Sequence, residues 1–239
     1  MRRFSSWKLS VISGLLFSAM SANVYAGDIK EAVSGKTFKD TIEVWGKSWV
    51  ATGTAIRIKS VMGIKAKVYA MAFYMEKDAA ALALASWKGS ATASDDAKLY
   101  KAILDCDCAR GVELTFLRDI EGPKAKEAFL ESAGIELKAL YGITSEDAAV
   151  KDDMAKLGEF LNYNVKDGNK LKFYFSKKGS ISATGVGGTL TIKNGKLGKA
   201  LLASWIGTSA RFTEDANLPV LKKGLVSNLS AIYAATPAP

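Results

Sequence analysis

The sequence predicts an α+β fold, in which helices pack on one face of an antiparallel β-sheet. Segments with the two-residue apolar period of strands recur along the chain, and glycine-containing turns separate several of them. Other segments have apolar residues at helical spacing. The 239 residues are 49% apolar, which is enough for the core of one large domain.

Residues 1–26 have the pattern of a secretory leader. The start is basic, residues 9–20 are mostly apolar, and Ala26 is the small residue expected before a cleavage site. The apolar stretch is shorter than the about 20 residues that a membrane-spanning helix needs. We therefore predict a leader over 1–26, a single domain over 27–239, and a periplasmic or secreted protein with no stable membrane anchor. A retained N-terminal anchor is the alternative.

The residues from 53 to 75 predict two strands joined by a tight turn. Residues 54–59 alternate between two faces, and Gly63 permits the positive φ of a turn. Residues 68–75 form a continuous apolar run, which is typical of a strand buried on both faces. If the hairpin folds about Met62 and Gly63, the numbers of paired residues sum to about 125 or 126.

The second of these strands has two different faces. Tyr69, Met71, Phe73 and Met75 share one face, whereas the other face is rich in alanine. The small side chains of the alanine-rich face allow close packing by a helix. The bulky face is predicted to form the wall of a cleft.

The predicted pairing places Arg57 beside Tyr69 on a largely apolar surface. No acidic residue lies between Thr54 and Ile64, and a buried cation without a partner is costly. One interpretation is that Arg57 reaches water or meets an acid from elsewhere in the chain. The other is that the pair binds an anionic or carbonyl-bearing ligand, because arginine offers a bidentate fork and tyrosine adds a hydroxyl donor.

Periodicity predicts the remaining strands and helices. Strands are expected at 41–45, 112–118, 171–175, 181–184 and 189–193, the last followed by a turn at Asn194 and Gly195. Short helices are expected within 77–100, and longer ones from Pro123 and after a cap at Thr144 or Ser145. The second long helix has its buried stripe at Val150, Met154, Leu157 and Leu161. A helix over Leu201–Ile206 and a last helix through Leu221, Leu225, Leu229 and Ile232 complete the chain.

Cys106 and Cys108 are the two cysteines of the chain. In an extended strand, residues two apart lie near the upper limit of separation for a disulfide, so a bridge requires a local bend. A disulfide and two buried thiols both remain open, together with a metal or redox centre. Asp105 and Asp107 would point away from the cysteines in a strand, which argues against a four-ligand metal site.

Charge and histidine content exclude several functional classes. Lys and Arg number 33 against 24 Asp and Glu, but acids are interspersed with the cations, so no basic stripe indicates nucleic-acid binding. The absence of histidine excludes Ser-His-Asp and Cys-His nucleophile systems and removes the commonest transition-metal ligand. The glycine-rich run at 185–188 lacks the spacing of a phosphate-binding loop. We predict neither a cofactor nor a metal.

The chain resembles the chalcone isomerase fold family, and specifically its bacterial exported branch. The resemblance rests on GTAIRIK followed by KAKVYAMAFYM, on ELTFLRDIEG, and on GTLTIKNGK with ALLASWIG. It implies an open-faced sandwich of sheet and helices. In the plant isomerases, an arginine on the first of these strands polarises the substrate and a threonine on the next helps to hold a water. Arg57 matches the arginine, and Tyr69 replaces the threonine, as in the fatty-acid-binding members of the family, where the two residues hold a carboxylate.

The resemblance also implies a departure from the isomerases. Ala125 and Ser132 stand where those enzymes carry a tyrosine and an asparagine that line the substrate cleft. We therefore predict binding of a fatty acid or similar amphipathic carboxylate through Arg57 and Tyr69, with Met71 and Phe73 against its tail. One alternative is an isomerase, an intramolecular lyase acting on a hydrophobic carbonyl substrate such as a chalcone, since a substrate phenolate can attack without a protein base. Another is a structural or partner-binding protein without a ligand.

Overall fold

An antiparallel sheet with helices packed on it organises the chain, which confirms the predicted α+β class. The structure is a computed structural model that describes residues 27–61, 64–89 and 97–234, so the predicted leader lies outside the described residues. A short hairpin of β1 (Asp28–Lys30) and β2 (Thr37–Lys39) precedes the main sheet. The main sheet has seven described strands in chain order: β3 (Thr41–Val44), β4 (Lys47–Val61), β5 (Ile64–Glu76), β6 (Arg110–Phe116), β7 (Lys170–Phe175), β8 (Ile181–Gly185) and β9 (Gly188–Ile192).

The helices lie between the strands and after them. They are α1 (Lys77–Ala83), α2 (Ala97–Asp105), α3 (Gly122–Tyr141), α4 (Lys151–Leu161), α5 (Gly195–Ile206), α6 (Arg211–Glu214) and α7 (Asn217–Leu225), with 3₁₀ turns at Ala85–Trp87 and Leu229–Tyr233. Across the described part of the chain, no helix has the length and apolar character needed to span a bilayer.

The hairpin of β4 and β5 has the register predicted from its turn. Arg57 pairs with Tyr69, and Ile58 pairs with Lys67, so the paired numbers sum to 126 and 125. The change between these sums is a β-bulge that adds Val68 to β5. The hairpin therefore brings Arg57 and Tyr69 to opposing positions, as expected. The predicted turn residues themselves lie outside the described ranges.

The two faces of β5 pack into separate apolar clusters. Tyr69, Met71 and Phe73 belong to the main core, which also contains apolar residues of α3, α5 and α7. Ala70 and Ala72 belong to a second cluster on the opposite face, and none of its described members comes from a helix. The predicted division into two faces is thus confirmed, but the helices pack on the bulky face.

Aromatic rings, and no described helix, cover the alanine-rich face, although its small side chains would have allowed a helix. Trp49 and Tyr174 pack edge to face with their ring centroids 5.6 Å apart, and Phe38 joins the same cluster from β2. Small alanine side chains leave room for either a helix or large rings. The neighbouring strands supply the rings, and these fill the space.

Two predicted turn or cap residues act differently in the structure. The Asn194 side chain accepts hydrogen bonds from two backbone N–H groups in the first turn of α5, so it caps this helix instead of forming a turn. Thr144 donates its backbone N–H and its hydroxyl to Asp147, and α4 begins only at Lys151 with Val150 before it. The predicted cap of α4 is therefore wrong. Its predicted stripe of buried residues is confirmed.

The last predicted helix is divided into α7 and a 3₁₀ turn. The backbone N–H of Asn228 donates to the Thr52 carbonyl at 2.7 Å, and the Thr52 hydroxyl donates to the Leu225 carbonyl at 2.9 Å. The Leu225 carbonyl and the Asn228 N–H are thus hydrogen-bonded to β4 and not to further residues of the helix, so the helix ends here. They also hold the end of α7 against the sheet.

Cys106 and Cys108 form a disulfide in the bend between α2 and β6, with their Cα atoms 5.3 Å apart. The bend supplies the shortening that an extended strand lacks. The sequence left open a disulfide, two buried thiols and a metal or redox centre, and the structure contains the disulfide. The described residues hold no group of three or more His, Cys, Asp or Glu side chains arranged to bind a metal ion.

Candidate functional site

A cavity of about 650 Å³ lies where β4, β5 and β6 meet α3, α5, α6 and α7. This volume is within the range of small-molecule sites. Exposed charged residues, including Lys59, Arg118 and Lys124, form its rim. The polar groups further inside are Arg57, Tyr69, Arg211 and Asp215, and the apolar lining includes Val68, Phe116, Phe129, Ile135, Trp205 and Leu218.

Arg57 is already paired with an acid from a distant part of the chain. Its Nη2 atom lies 2.7 Å from the Asp215 carboxylate, and its Nη1 atom donates to the Ile58 carbonyl at 2.7 Å. One interpretation of the sequence is that Arg57 meets an acid from elsewhere in the chain, and Asp215 is that acid. A guanidinium has five N–H donors, so these two bonds leave donors for a further acceptor.

Asp215 is held in place by bonds from both sides. It precedes α7, and its carboxylate accepts a hydrogen bond from the Asn217 backbone N–H at 3.0 Å as well as the contact with Arg57. Burial acts to raise the pKa of Asp215, but the hydrogen bonds from Arg57 and Asn217 outweigh it, so the pKa lies below its usual value. The Asp215 side chain is therefore a carboxylate at neutral pH.

Tyr69 presents a protonated hydroxyl beside this ion pair. Its side chain is buried between aromatic rings, including that of Phe129, which stacks on it at 6.5 Å. The indole N–H of Trp205 donates to the Tyr69 oxygen at 3.0 Å. Burial raises the pKa of Tyr69 although the Arg57 charge opposes this, so the phenol keeps its proton at neutral pH. Among the described residues, no acceptor is found for that proton.

Arg211 is a second partly buried cation of the cavity lining, beside Arg57, and no pattern in the sequence predicted it. It lies on α6, a single helical turn, and its Nη1 atom donates to the Ser204 carbonyl at 3.0 Å. Burial lowers the pKa of Arg211, and the neighbouring charge of Arg57 acts in the same direction. No pattern in the sequence marks this residue, since a four-residue helix is too short to show apolar periodicity.

Met71 and Phe73 are fully buried in the main core and do not line the cavity. Arg57 and Tyr69 do line it, so the structure brings together two of the four residues predicted for the site. Contact of a ligand tail with Met71 or Phe73 stays a prediction, and it requires the core to open.

Ala125 and Ser132 both line the cavity from α3, where the resemblance to plant isomerases implies a tyrosine and an asparagine in those enzymes. Ser132 donates its hydroxyl to the Ala128 carbonyl of its own helix at 2.7 Å. Its hydroxyl is thus bonded within α3. Neither residue contributes a phenol or an amide to the cavity.

Comparisons with known proteins agree with this architecture. The crystal structure of a fatty-acid binding protein from Arabidopsis thaliana is similar to the chain, with a TM-score of 0.69 and 17% sequence identity, over 87% of this chain and 100% of that one. At this identity the likeness shows the fold alone. The chain has no match among curated proteins. Residues 30–218 match the family model described as chalcone isomerase-like. Since this match spans most of the chain, the protein belongs to the chalcone isomerase-like family.

Proposed function

We propose that the protein binds a fatty acid or a similar amphipathic carboxylate in the cavity, with the carboxylate at Arg57 and Tyr69. The observation that carries this proposal is the combination of an apolar lining with a guanidinium and a protonated phenol that both face the cavity. The apolar lining suits a hydrocarbon tail, whose burial contributes about 0.8 kcal/mol per CH₂ group. Charge-assisted hydrogen bonds suit the head group.

The comparisons support the ligand class. The similar structure from Arabidopsis thaliana is that of a fatty-acid binding protein, and its fold is similar over 87% of this chain. An isomerase acting on a chalcone has no separate observation in its favour, because Ala125 and Ser132 add no reactive group to the cavity. Turnover of a hydroxychalcone by the purified protein would instead support that alternative.

Removing Arg57 is expected to weaken binding of dodecanoate more than removing the Tyr69 hydroxyl. Tyr69→Phe removes one hydrogen bond to a charged group, worth about 1.5–3 kcal/mol. Arg57→Ala leaves the ligand carboxylate without its opposite charge and places it near an unpaired Asp215. Isothermal titration calorimetry of dodecanoate against the wild type and both variants measures the difference.

The double variant Arg57→Ala/Asp215→Ala is the control for repulsion between the ligand carboxylate and the unpaired Asp215 carboxylate. If Asp215 alone causes the loss, the double variant recovers wild-type affinity. If Arg57 binds the ligand, affinity stays low. Equal binding by the wild type, Arg57→Ala and Tyr69→Phe would rule out a carboxylate site at these residues, and failure of the wild type to bind would rule out the proposed function.

The disulfide is expected to have no part in binding, because neither Cys106 nor Cys108 lines the cavity. Replacing both by serine should leave the affinity for dodecanoate within a few-fold of wild type. Titration calorimetry measures this, with circular dichroism to verify the fold. A folded double variant that no longer binds would contradict the expectation.

We also propose that the protein is exported to the periplasm or secreted, and that it belongs to the bacterial exported branch of the family. The leader pattern of residues 1–26 supports this. N-terminal sequencing of the exported protein should find Gly27 as the first residue. An intact Met1 in the membrane fraction would overturn the proposal in favour of a retained anchor.

A further inference from the structure

Arg211 belongs to a cluster of charged groups beside the cavity. Arg211 interacts electrostatically with Arg57, Asp215 and Glu136, and Glu136 interacts in turn with Lys222. These five groups comprise three cations and two acids. Of these five groups, Arg57, Arg211 and Asp215 line the cavity.

Each of the other charged groups has a specific partner. Asp215 is bonded to Arg57 at 2.7 Å. The carboxylate of Glu136, which is buried beneath the loop after α5, accepts a hydrogen bond from the Ser209 hydroxyl at 2.5 Å. The Lys222 ammonium lies over the Phe212 ring, 4.5 Å from its centroid, and donates to the Gly207 carbonyl.

Arg211 differs from these groups. It lines the cavity, and within the described residues it forms no salt bridge and donates only to the neutral Ser204 carbonyl. A partly buried guanidinium with four N–H donors unused is favoured by an anion in the adjacent space. Tyr69, whose hydroxyl proton also has no acceptor among the described residues, lines the same cavity.

We propose that Arg211 is a second anion-binding residue of the cavity, and that the site takes a single anionic head group between Arg211, the Tyr69 hydroxyl and the remaining donors of Arg57. A carboxylate gives the unused donors of Arg211 an anionic acceptor, whereas a neutral head group does not. This inference rests on the proposed function and adds a residue that favours an anionic ligand over a neutral one.

The test compares dodecanoate with dodecanol, which has a tail of the same length and a neutral head group. Arg211→Gln is expected to weaken dodecanoate binding by about ten- to a hundred-fold, as for loss of a charge-assisted pair, and to leave dodecanol binding unchanged within about two-fold. Arg211→Lys keeps the charge but loses the planar fork, so it should weaken dodecanoate binding by less. Lys178→Gln removes one exposed cation that does not line the cavity, so the binding of both ligands should be unaffected.

The outcomes separate this inference from the proposed function. If the wild type binds neither ligand, the proposed function fails. If the wild type binds dodecanoate, Arg57→Ala weakens it and Arg211→Gln does not, the inference is overturned while the proposed function stands. Equal losses for dodecanoate and dodecanol would show that Arg211 supports the fold instead of the head group, which also overturns the inference. Thermal unfolding by circular dichroism verifies each variant, and Arg211→Lys decides the question if Arg211→Gln does not fold.

Discussion

Replacing Gly53 by alanine is expected to destabilise the protein by about 3 kcal/mol or more, the upper end of the usual cost of overpacking. A Cβ atom at Gly53 would lie 2.1 Å from the Gly224 carbonyl oxygen and 2.8 Å from the Leu225 carbonyl carbon. Both contacts are with backbone atoms, so no side chain can move aside. The end of α7 would have to shift away from β4, where Thr52 now bonds it.

Urea unfolding followed by circular dichroism measures this effect. Gly134→Ala is a matched control, since a Cβ atom at Gly134 in α3 would meet nothing within 4 Å. Alanine is favoured over glycine in a helix by up to about 1 kcal/mol, so the control should be stabilised. The prediction is wrong if Gly53→Ala unfolds at the wild-type urea concentration. A shift of α7 would also move Asp215, so dodecanoate binding should fall in Gly53→Ala.

Asp215→Asn is expected to lower the free energy of unfolding by about 2–3 kcal/mol at pH 7. The substitution removes the partner of a largely buried guanidinium, and breaking such a pair leaves an uncompensated charge. This estimate lies below the cost for a fully buried pair because the Asp215 side chain is 27% exposed.

The loss should depend on pH in a defined direction. The pKa of Asp215 is lower in the folded protein than in the unfolded chain, where it is about 3.9. Its contribution is therefore fully present above about pH 4 and is lost as the pH falls through the folded value. Urea unfolding of wild type and Asp215→Asn at a series of pH values measures this. The difference in unfolding free energy should be constant near pH 7 and shrink in acid.

Asp119→Asn is the control for this series. Asp119 also pairs with a cation, Lys166 at 2.8 Å, but both side chains are well exposed. An exposed pair contributes little, so this variant should unfold nearly as the wild type does at pH 7. A loss for Asp119→Asn equal to that for Asp215→Asn would contradict the argument from burial.

The sequence predicted two residues that line the cavity, Arg57 and Tyr69, and a single turn brings these two together. The register of β4 and β5 follows from a single hairpin, so the cross-strand pair of Arg57 and Tyr69 could be predicted from local pattern. Residues from remote segments could not. Trp205, which donates to Tyr69, lies 136 positions away, and its indole shows no sign of that partner in the sequence.

The alanine-rich face of β5 shows the same limit within the fold. The two-residue period correctly divided the strand into two faces, because alternation depends only on the backbone of that strand. It did not reveal what covers each face. Small residues accept a helix or a ring equally well, and the choice between them depends on Trp49 and Tyr174 from neighbouring strands.

The sequence by itself determined the α+β class, the hairpin register and the absence of histidine chemistry, since these depend on composition or on residues close in the chain. Only the tertiary structure decided that Asp215 pairs with Arg57, that Arg211 enters the cavity, and that Met71 and Phe73 lie in the core. The physical reason is that such contacts depend on how α6 and α7 pack on the hairpin, and periodicity within a segment carries no information about which other segment packs on it.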